Sequence, residues 1–282
     1  MDHKSGKWAE QILSQRNEDG LWGNFHTLSQ PVSGKGYTTE QALRRLRILG
    51  YTAEEEPIRR VMERMEQCIR GERKIDDYYE RKHDWPLFEK LMLAAWLHLL
   101  DPQNETALTI ARQWAIIVEE AFADGIYSEE RDIRAFTEMH GRKPKSGFET
   151  GFGMFYHAAL LGGVLQEETE GAFLDYYLSK PEGMFYIYDK RLNKPPEVFA
   201  SVKSSRYLAA LEVLADYGQA GEKLQFAADW LYSNREADGQ WDFGRDANDK
   251  VYFPLSDSWR REEDRKRDCS GRIMTFLKKI ER

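Results

Sequence analysis

Cysteine is scarce: this chain of 282 residues carries only Cys68 and Cys269. Two thiols are too few for a disulfide framework or a thiolate zinc site, so structural thiols in a reducing compartment are expected. Long apolar runs are missing too. No stretch approaches the roughly 20 residues of a membrane span, and the N-terminal Met-Asp-His-Lys-Ser-Gly-Lys-Trp has no apolar signal core, so a cytoplasmic location is expected. An excess of basic residues is also lacking. The formal charge is −7, which argues against a nucleic-acid partner, because phosphate binding draws its affinity from clustered Lys and Arg. The one dense basic stretch, Arg260 to Arg267, is interleaved with Glu262, Glu263 and Asp264 and reads as solvated or locally paired. Alternation long enough for a strand is absent, and the three residues Tyr186 to Tyr188 decide nothing.

What the chain does have is aromatic side chains and a repeat. Aromatics make up 13% of residues, which implies either a thick core or a ring-lined cavity; packing in the core is the simpler reading. Four tetrapeptides share an acidic-Gly-x-aromatic pattern: Asp19-Gly20-Leu21-Trp22, Asp124-Gly125-Ile126-Tyr127, Glu182-Gly183-Met184-Phe185 and Asp238-Gly239-Gln240-Trp241. A degenerate member, Arg70-Gly71-Glu72, fills the gap after the first. Successive glycines lie about 51 to 58 residues apart, a spacing that marks a repeated supersecondary unit. Each position has a physical reason. Glycine takes the left-handed conformation that ends a helix, the acidic residue bonds nearby backbone N–H groups, and the aromatic folds back on the helix just ended.

Each of these loops follows an amphipathic helix and precedes a more apolar one. The apolar helices are predicted over 38–49, 86–100, 147–165, 198–217 and 258–280, on periodicities such as Leu91, Ala95 and Leu99. Five such units give ten helices in a single domain spanning residues 1–282. The chain begins on an amphipathic helix and stops on a buried one, so its ends can pair. A closed α/α toroid, all-α, is therefore expected, with an open superhelix as the alternative.

The first and last loops carry a resemblance. Trp8-x3-Ile12-Leu13-x-Gln15-x3-Asp19-Gly20-x-Trp22-Gly23 resembles the repeat of the terpenoid (squalene/hopene) cyclase and protein prenyltransferase superfamily. So does Trp230-Leu231-Tyr232-x-Asn234-x3-Asp238-Gly239-x-Trp241. The resemblance implies an α/α barrel in which the element packs the turn between outer and inner helices. The family's catalytic signatures do not accompany it. There is no Asp-x-Asp-Asp run, Asp268 directly precedes Cys269 at the wrong spacing for the zinc set, and no His follows His157. Neither a metal nor another cofactor is expected.

Candidate chemistry lies where the apolar helices begin. Asp76-Asp77-Tyr78-Tyr79-Glu80 looks like a magnesium-pyrophosphate motif of a different fold, but a solvated acidic loop is the simpler reading. His83, Asp84 and Trp85 precede Pro86 at a helix start; His83 beside Asp84 could be an acid–base pair, and an N-cap role for Asp84 explains it without chemistry. Glu149 and His157, with Tyr156, lie on the third apolar helix among Gly147, Gly151 and Gly153, either as a close packing contact or as a ligand-facing wall. The fourth offers Arg206 and Tyr207. The fifth offers Arg265, Asp268 and Arg272 at helical spacing, which suits a buried ion network or an anion patch. His83, Asp84, Glu149 and His157 are the catalytic candidates; Trp85, Tyr156, Arg206, Tyr207, Arg265 and Asp268 are the ligand-binding ones.

Three functions fit these features. One is a relative of the cyclases and prenyltransferases that binds a small, partly apolar molecule in an aromatic-lined central cavity. Another is a carbohydrate-active α/α barrel, which needs two cavity carboxylates roughly 5 to 10 Å apart, Asp84 and Glu149 being the nearest pair. The third is a non-catalytic scaffold with a filled barrel and a large apolar surface patch.

Overall fold

A computed structural model describes residues 3–29, 31, 36–77 and 84–281. Among the described residues it is all-helical. Five amphipathic or short helices, α1 (Lys7–Leu13), α3 (Glu56–Ile69), α5 (Glu105–Ala121), α8 (Glu167–Ser179) and α11 (Gln225–Ser233), each precede a more buried one. The buried partners are α2 (Thr39–Ile48), α4 (Trp85–Leu100), α7 (Phe155–Leu161), α9 (Val202–Leu214) and α12 (Glu262–Ile280). The single turn α10 (Ala220–Lys223) leads into α11, and α6 (Glu129–His140) was not foreseen.

Capping explains where these helices begin. Thr38 and Gln41 form a reciprocal capping box at the start of α2, Asp84 accepts from the Leu87 N–H before α4, and Asn104 and Ser201 cap α5 and α9. Pro57 and Pro86 stand in the first turns of α3 and α4, where a missing N–H costs nothing. The difference in burial is equally local. All seven residues of α7 are buried and α4 is buried nearly all round, whereas α3 buries only the stripe Ile58, Val61, Met62, Met65 and Cys68.

The repeated loops behave alike where their chemistry is alike. Gly20, Gly71, Gly125, Gly183 and Gly239 all have φ between +66° and +86°, the region open to glycine. In the first and last loops the tryptophan tucks under the helix just ended. Trp22 Nε1 donates to the Ile12 carbonyl at 2.7 Å, and Trp241 Nε1 donates to the Leu231 carbonyl at 2.6 Å, each ten residues back. Such a buried bond contributes about 1 kcal/mol. The fourth loop differs: the Phe185 ring is partly exposed rather than tucked.

The third unit departs most from expectation. Its apolar helix starts at Phe155 rather than at Gly147, because the preceding residues are spent on a tight turn. Gly151 and Phe152 both have positive φ, and the Gly151 N–H is tied to Asp132 Oδ2 at 2.7 Å. Nearly 1 kcal/mol of helix preference lost per glycine makes the turn the cheaper conformation. The residues before it form α6, which packs on α5. Tyr186 to Tyr188 do not make a strand; only isolated bridges, Met154 with Phe185 and Met184 with Tyr188, occur there.

The first and last units meet. Trp8 Nε1 donates to the Ser256 carbonyl at 3.0 Å, the Lys7 N–H to Asp257 Oδ1 at 3.1 Å, and Arg44 Nη1 to the Tyr252 hydroxyl at 2.9 Å. Buried Arg45 reaches the Pro254 carbonyl. The buried helices also run with their like ends together. Glu40 in the first turn of α2 meets Tyr156 in the first turn of α7, and His98 in the last turn of α4 meets the Gly162 carbonyl just beyond α7. Among the described residues no helix is long and apolar enough to cross a membrane.

Candidate functional site

Asp84 and Glu149 do come together, although not across a cavity. Arg142 joins them, with Nε 3.1 Å from Asp84 Oδ2 and Nη1 2.8 Å from Glu149 Oε2. Glu149 also accepts from the Asp84 N–H at 3.0 Å and the Lys145 N–H at 2.7 Å. Burial by itself pushes both carboxyls up. The backbone N–H groups and Arg142 outweigh it, and both sit below the ordinary carboxylate range. Two carboxylates held in the same ionised state are a staple between the start of α4 and the turn before α7. They are not split into an acid and a base. His83, with Tyr78, Tyr79, Glu80 and Lys82, lies outside the described residues.

His157 does not share a helical face with Glu149, because α7 begins six residues after it. The imidazole is fully buried, edge-on to Trp114 at 4.8 Å and to Phe152 at 5.7 Å, and neither ring nitrogen has a hydrogen-bond partner. Burial, helped by the charge of Lys180, pushes its pKa down to about 3. It is a neutral core side chain. Asp132 nearby is shifted the other way: burial raises its pKa to about 6, against the Gly151 N–H and the Tyr127 hydroxyl, which favour the charge.

Tyr156 leads to a group that sequence reasoning missed. Its hydroxyl donates to both oxygens of Glu40, at 2.9 and 3.0 Å. Glu40 is fully buried and also accepts from Trp96 Nε1 at 2.9 Å and the Thr27 N–H at 2.6 Å, with Arg44 Nη2 at 3.6 Å. Around it the rings of His26, Phe88, Tyr156 and Tyr186 lie 5.1 to 6.3 Å apart, and Trp85 packs on Phe88. This aromatic layer fills the space at the first turns of α2, α4 and α7 with side chains.

The other candidates divide by role. Tyr207 is buried and its hydroxyl donates to the Leu192 carbonyl at 2.7 Å, while Arg206 is exposed at the surface, 3.8 Å from Asp249. Arg265 forms a two-pronged bond with Asp242, next to the tucked Trp241. Asp268 is buried, and its Oδ2 accepts four donors: the Leu255 and Ser256 N–H groups, the Ser256 hydroxyl and Trp259 Nε1. It pins the segment before α12 to α12 itself. Arg272 pairs in two-pronged fashion with Glu212 of α9, at 3.0 and 2.7 Å.

At the opposite ends of the buried helices the space is open. A cavity of about 730 Å³ lies between the last turns of α2 and α4 and the second half of α12. Its floor is aliphatic, with Ile48, Leu49, Leu99, Leu100 and Leu255 beside Phe276; its polar lining includes Arg47, Glu212, Arg267, Asp268, Arg272 and Lys279. A crevice of about 30 Å³ adjoins it, sharing Arg47, Ile48, Leu99 and Glu212 and reaching Arg44, Trp96, Phe155 and Tyr252. Among the described residues no group of three His, Cys, Asp or Glu is placed to hold a metal ion. Both cysteines are buried and free, and burial raises the Cys269 thiol to about 12.

Among the described residues, the sequence candidates that line this cavity are Asp268 and Arg272. Glu40, Arg44 and Arg47 were overlooked, although their four- and three-residue spacing along an apolar helix was a readable signal of charge facing inward. Comparison with family models, with curated proteins and with solved structures brings no match, so the site is read from its own chemistry.

Proposed function

We propose that the five hairpins form an α/α toroid and that the chain binds a small, partly apolar molecule in the cavity between the last turns of α2 and α4 and the side of α12. The observation that carries this reading is the cavity itself. At about 730 Å³ it falls in the range of small-molecule sites, with aliphatic side chains and several charged groups in its lining. The expected aromatic wall is replaced by an aliphatic one, because the rings are used up in the packed layer around Glu40. Binding is favoured over acid–base chemistry, since Asp84 and Glu149 are both held ionised by Arg142 and His157 is locked neutral. The same bridge removes the pair on which a carbohydrate-active reading rested.

The test uses an uncharged fluorophore, 1-aminoanthracene, displaced by 1-octanol from the full chain. Saturable fluorescence enhancement, reversed by octanol and lost in Leu99→Trp, is the expected result, because Leu99 lines both the cavity and its crevice. Fluorescence that is non-saturable, or unchanged by Leu99→Trp, would overturn the reading.

A further inference from the structure

Cations outnumber carboxylates among the side chains that line the cavity, although the molecule as a whole is acidic. Five cationic side chains, Arg44, Arg47, Arg267, Arg272 and Lys279, line it and its crevice against two carboxylates, Glu212 and Asp268. The chain as a whole carries −7. The excess of charge is matched from behind the lining: Glu40 stands 3.6 Å from Arg44, Asp216 pairs with Arg47 and Lys279, and Asp264 with Arg267. The two lining carboxylates are themselves engaged, Glu212 by Arg272 and Asp268 by its four donors.

Hydrogen-bond capacity is left over: three N–H positions on Arg44 and Arg272, against one carboxylate oxygen, Asp268 Oδ1. Arg44 is 7% exposed and Arg272 6%. Arg44 Nε and Nη2 and Arg272 Nη1 have no hydrogen-bond partner, although each is buried. Leaving a buried donor unpaired is costly, more so on a charged group. Tyr252 ties the two guanidiniums together: its hydroxyl accepts from Arg44 Nη1 at 2.9 Å, and its ring lies 5.5 Å beneath Arg272. Arg44 is further held over Phe155 at 4.9 Å and Trp96 at 5.8 Å, so its guanidinium is fixed before any ligand arrives.

We infer that the cavity takes an amphiphilic carboxylate, its head drawn to the unpaired N–H groups of Arg44 and Arg272 and its apolar portion laid on Leu49, Leu99, Leu100 and Phe276. This inference rests on the reading of the cavity as a ligand site and adds the ligand's charge and head group. The crevice beside Arg44 is about 30 Å³, room for roughly two water-sized groups, which suits the two oxygens of a carboxylate better than the four of a phosphate. Planar guanidinium donors match that head in geometry as well as in charge.

Titration calorimetry on the full chain with octanoate, octyl phosphate and 1-octanol separates the possibilities. Octanoate is expected to bind about ten- to a hundredfold more tightly than octanol, the range of charge-assisted hydrogen bonds in a half-buried site. Octyl phosphate should fall between them. Arg272→Met should bring octanoate to within about threefold of octanol. Glu212→Gln removes a competing anion and should tighten octanoate by about threefold or more, a gain that a merely structural ion pair would not produce. That second variant keeps the test decisive if Arg272→Met does not fold. Equal affinity for octanoate and octanol overturns the inference and leaves the cavity reading standing. Preference for the phosphate overturns the choice of head group. Failure of all three ligands to bind overturns both readings.

Discussion

The two ends of the buried helices are built from the same elements and solved in opposite ways. At their first turns, Glu40 sits among aromatic rings with its own demands met, Tyr156, Trp96 and Thr27 supplying donors and Arg44 the counter-charge, while the buried imidazole of His26 beside it has no hydrogen-bond partner. Towards the other end, Arg272 keeps an N–H group unpaired beside about 730 Å³ of open space, and Arg44 keeps two beside the adjoining crevice. A buried polar network that is fully satisfied rigidifies what surrounds it. One that is left partly unsatisfied has capacity for a ligand. The packed end therefore reads as the part that holds the helices together, and the open end as the part that can bind.

The sharpest way to break this contrast is to empty the packed end. Glu40→Ala strands Trp96 Nε1, the Tyr156 hydroxyl and the Thr27 N–H, and leaves the Arg44 charge uncompensated. A loss of about 4 kcal/mol in urea unfolding is expected, as for other broken buried ion pairs; a loss under about 1 kcal/mol would show that the network holds little. A gentler probe is acid. The His157 pKa lies near 3 in the folded chain, far below its unfolded value near 6.5. The unfolded chain therefore binds the proton first, and stability present above pH 6.5 is lost as pH falls towards 3. Between pH 6.5 and pH 4 this contributes a loss of about 3 kcal/mol. His157→Leu should flatten that limb in denaturant melts at stepped pH, and an unchanged slope would place the acid sensitivity elsewhere.

Size is the finest test, because it compares neighbours on one helix. Ala95 is fully buried on α4, and Ala95→Leu should cost about 1.5 kcal/mol by overpacking. Leu99, one turn further, borders the cavity, and Leu99→Trp should cost under about 1 kcal/mol although it adds a larger, stiffer ring system. Equal costs, measured by thermal unfolding, would mean that the cavity is not genuinely open.

Most of the helix pairing was legible in residue spacing. The Asp-Gly-x-Trp loops announced their left-handed glycines and tucked indoles, because both effects act within some ten residues. The site was far less legible. Asp84, Glu149 and His157 were chosen for their chemical type, but Arg142 neutralises the first two and burial silences the third. Glu40, Arg44 and Arg47 went unnoticed in a helix whose apolar stripe had already explained it. Helix α6 was missed because Ser128 to His140 fell where the repeat called for a loop, although Ser128 caps it and Gly141 ends it in the left-handed region.

By itself, then, the sequence determined an all-helical chain, its five-fold loop rhythm and the helices that bury more of their surface. These follow from backbone preference and hydrophobic period, which are local. Only the tertiary structure decided that Arg142 would bridge two carboxylates 65 residues apart, that Glu40 would be enclosed by Trp96 and Tyr156, and that Arg44 and Arg272 would share Tyr252. Whether a charge is spent or available depends on which partner arrives from a distant helix, and no local pattern records that.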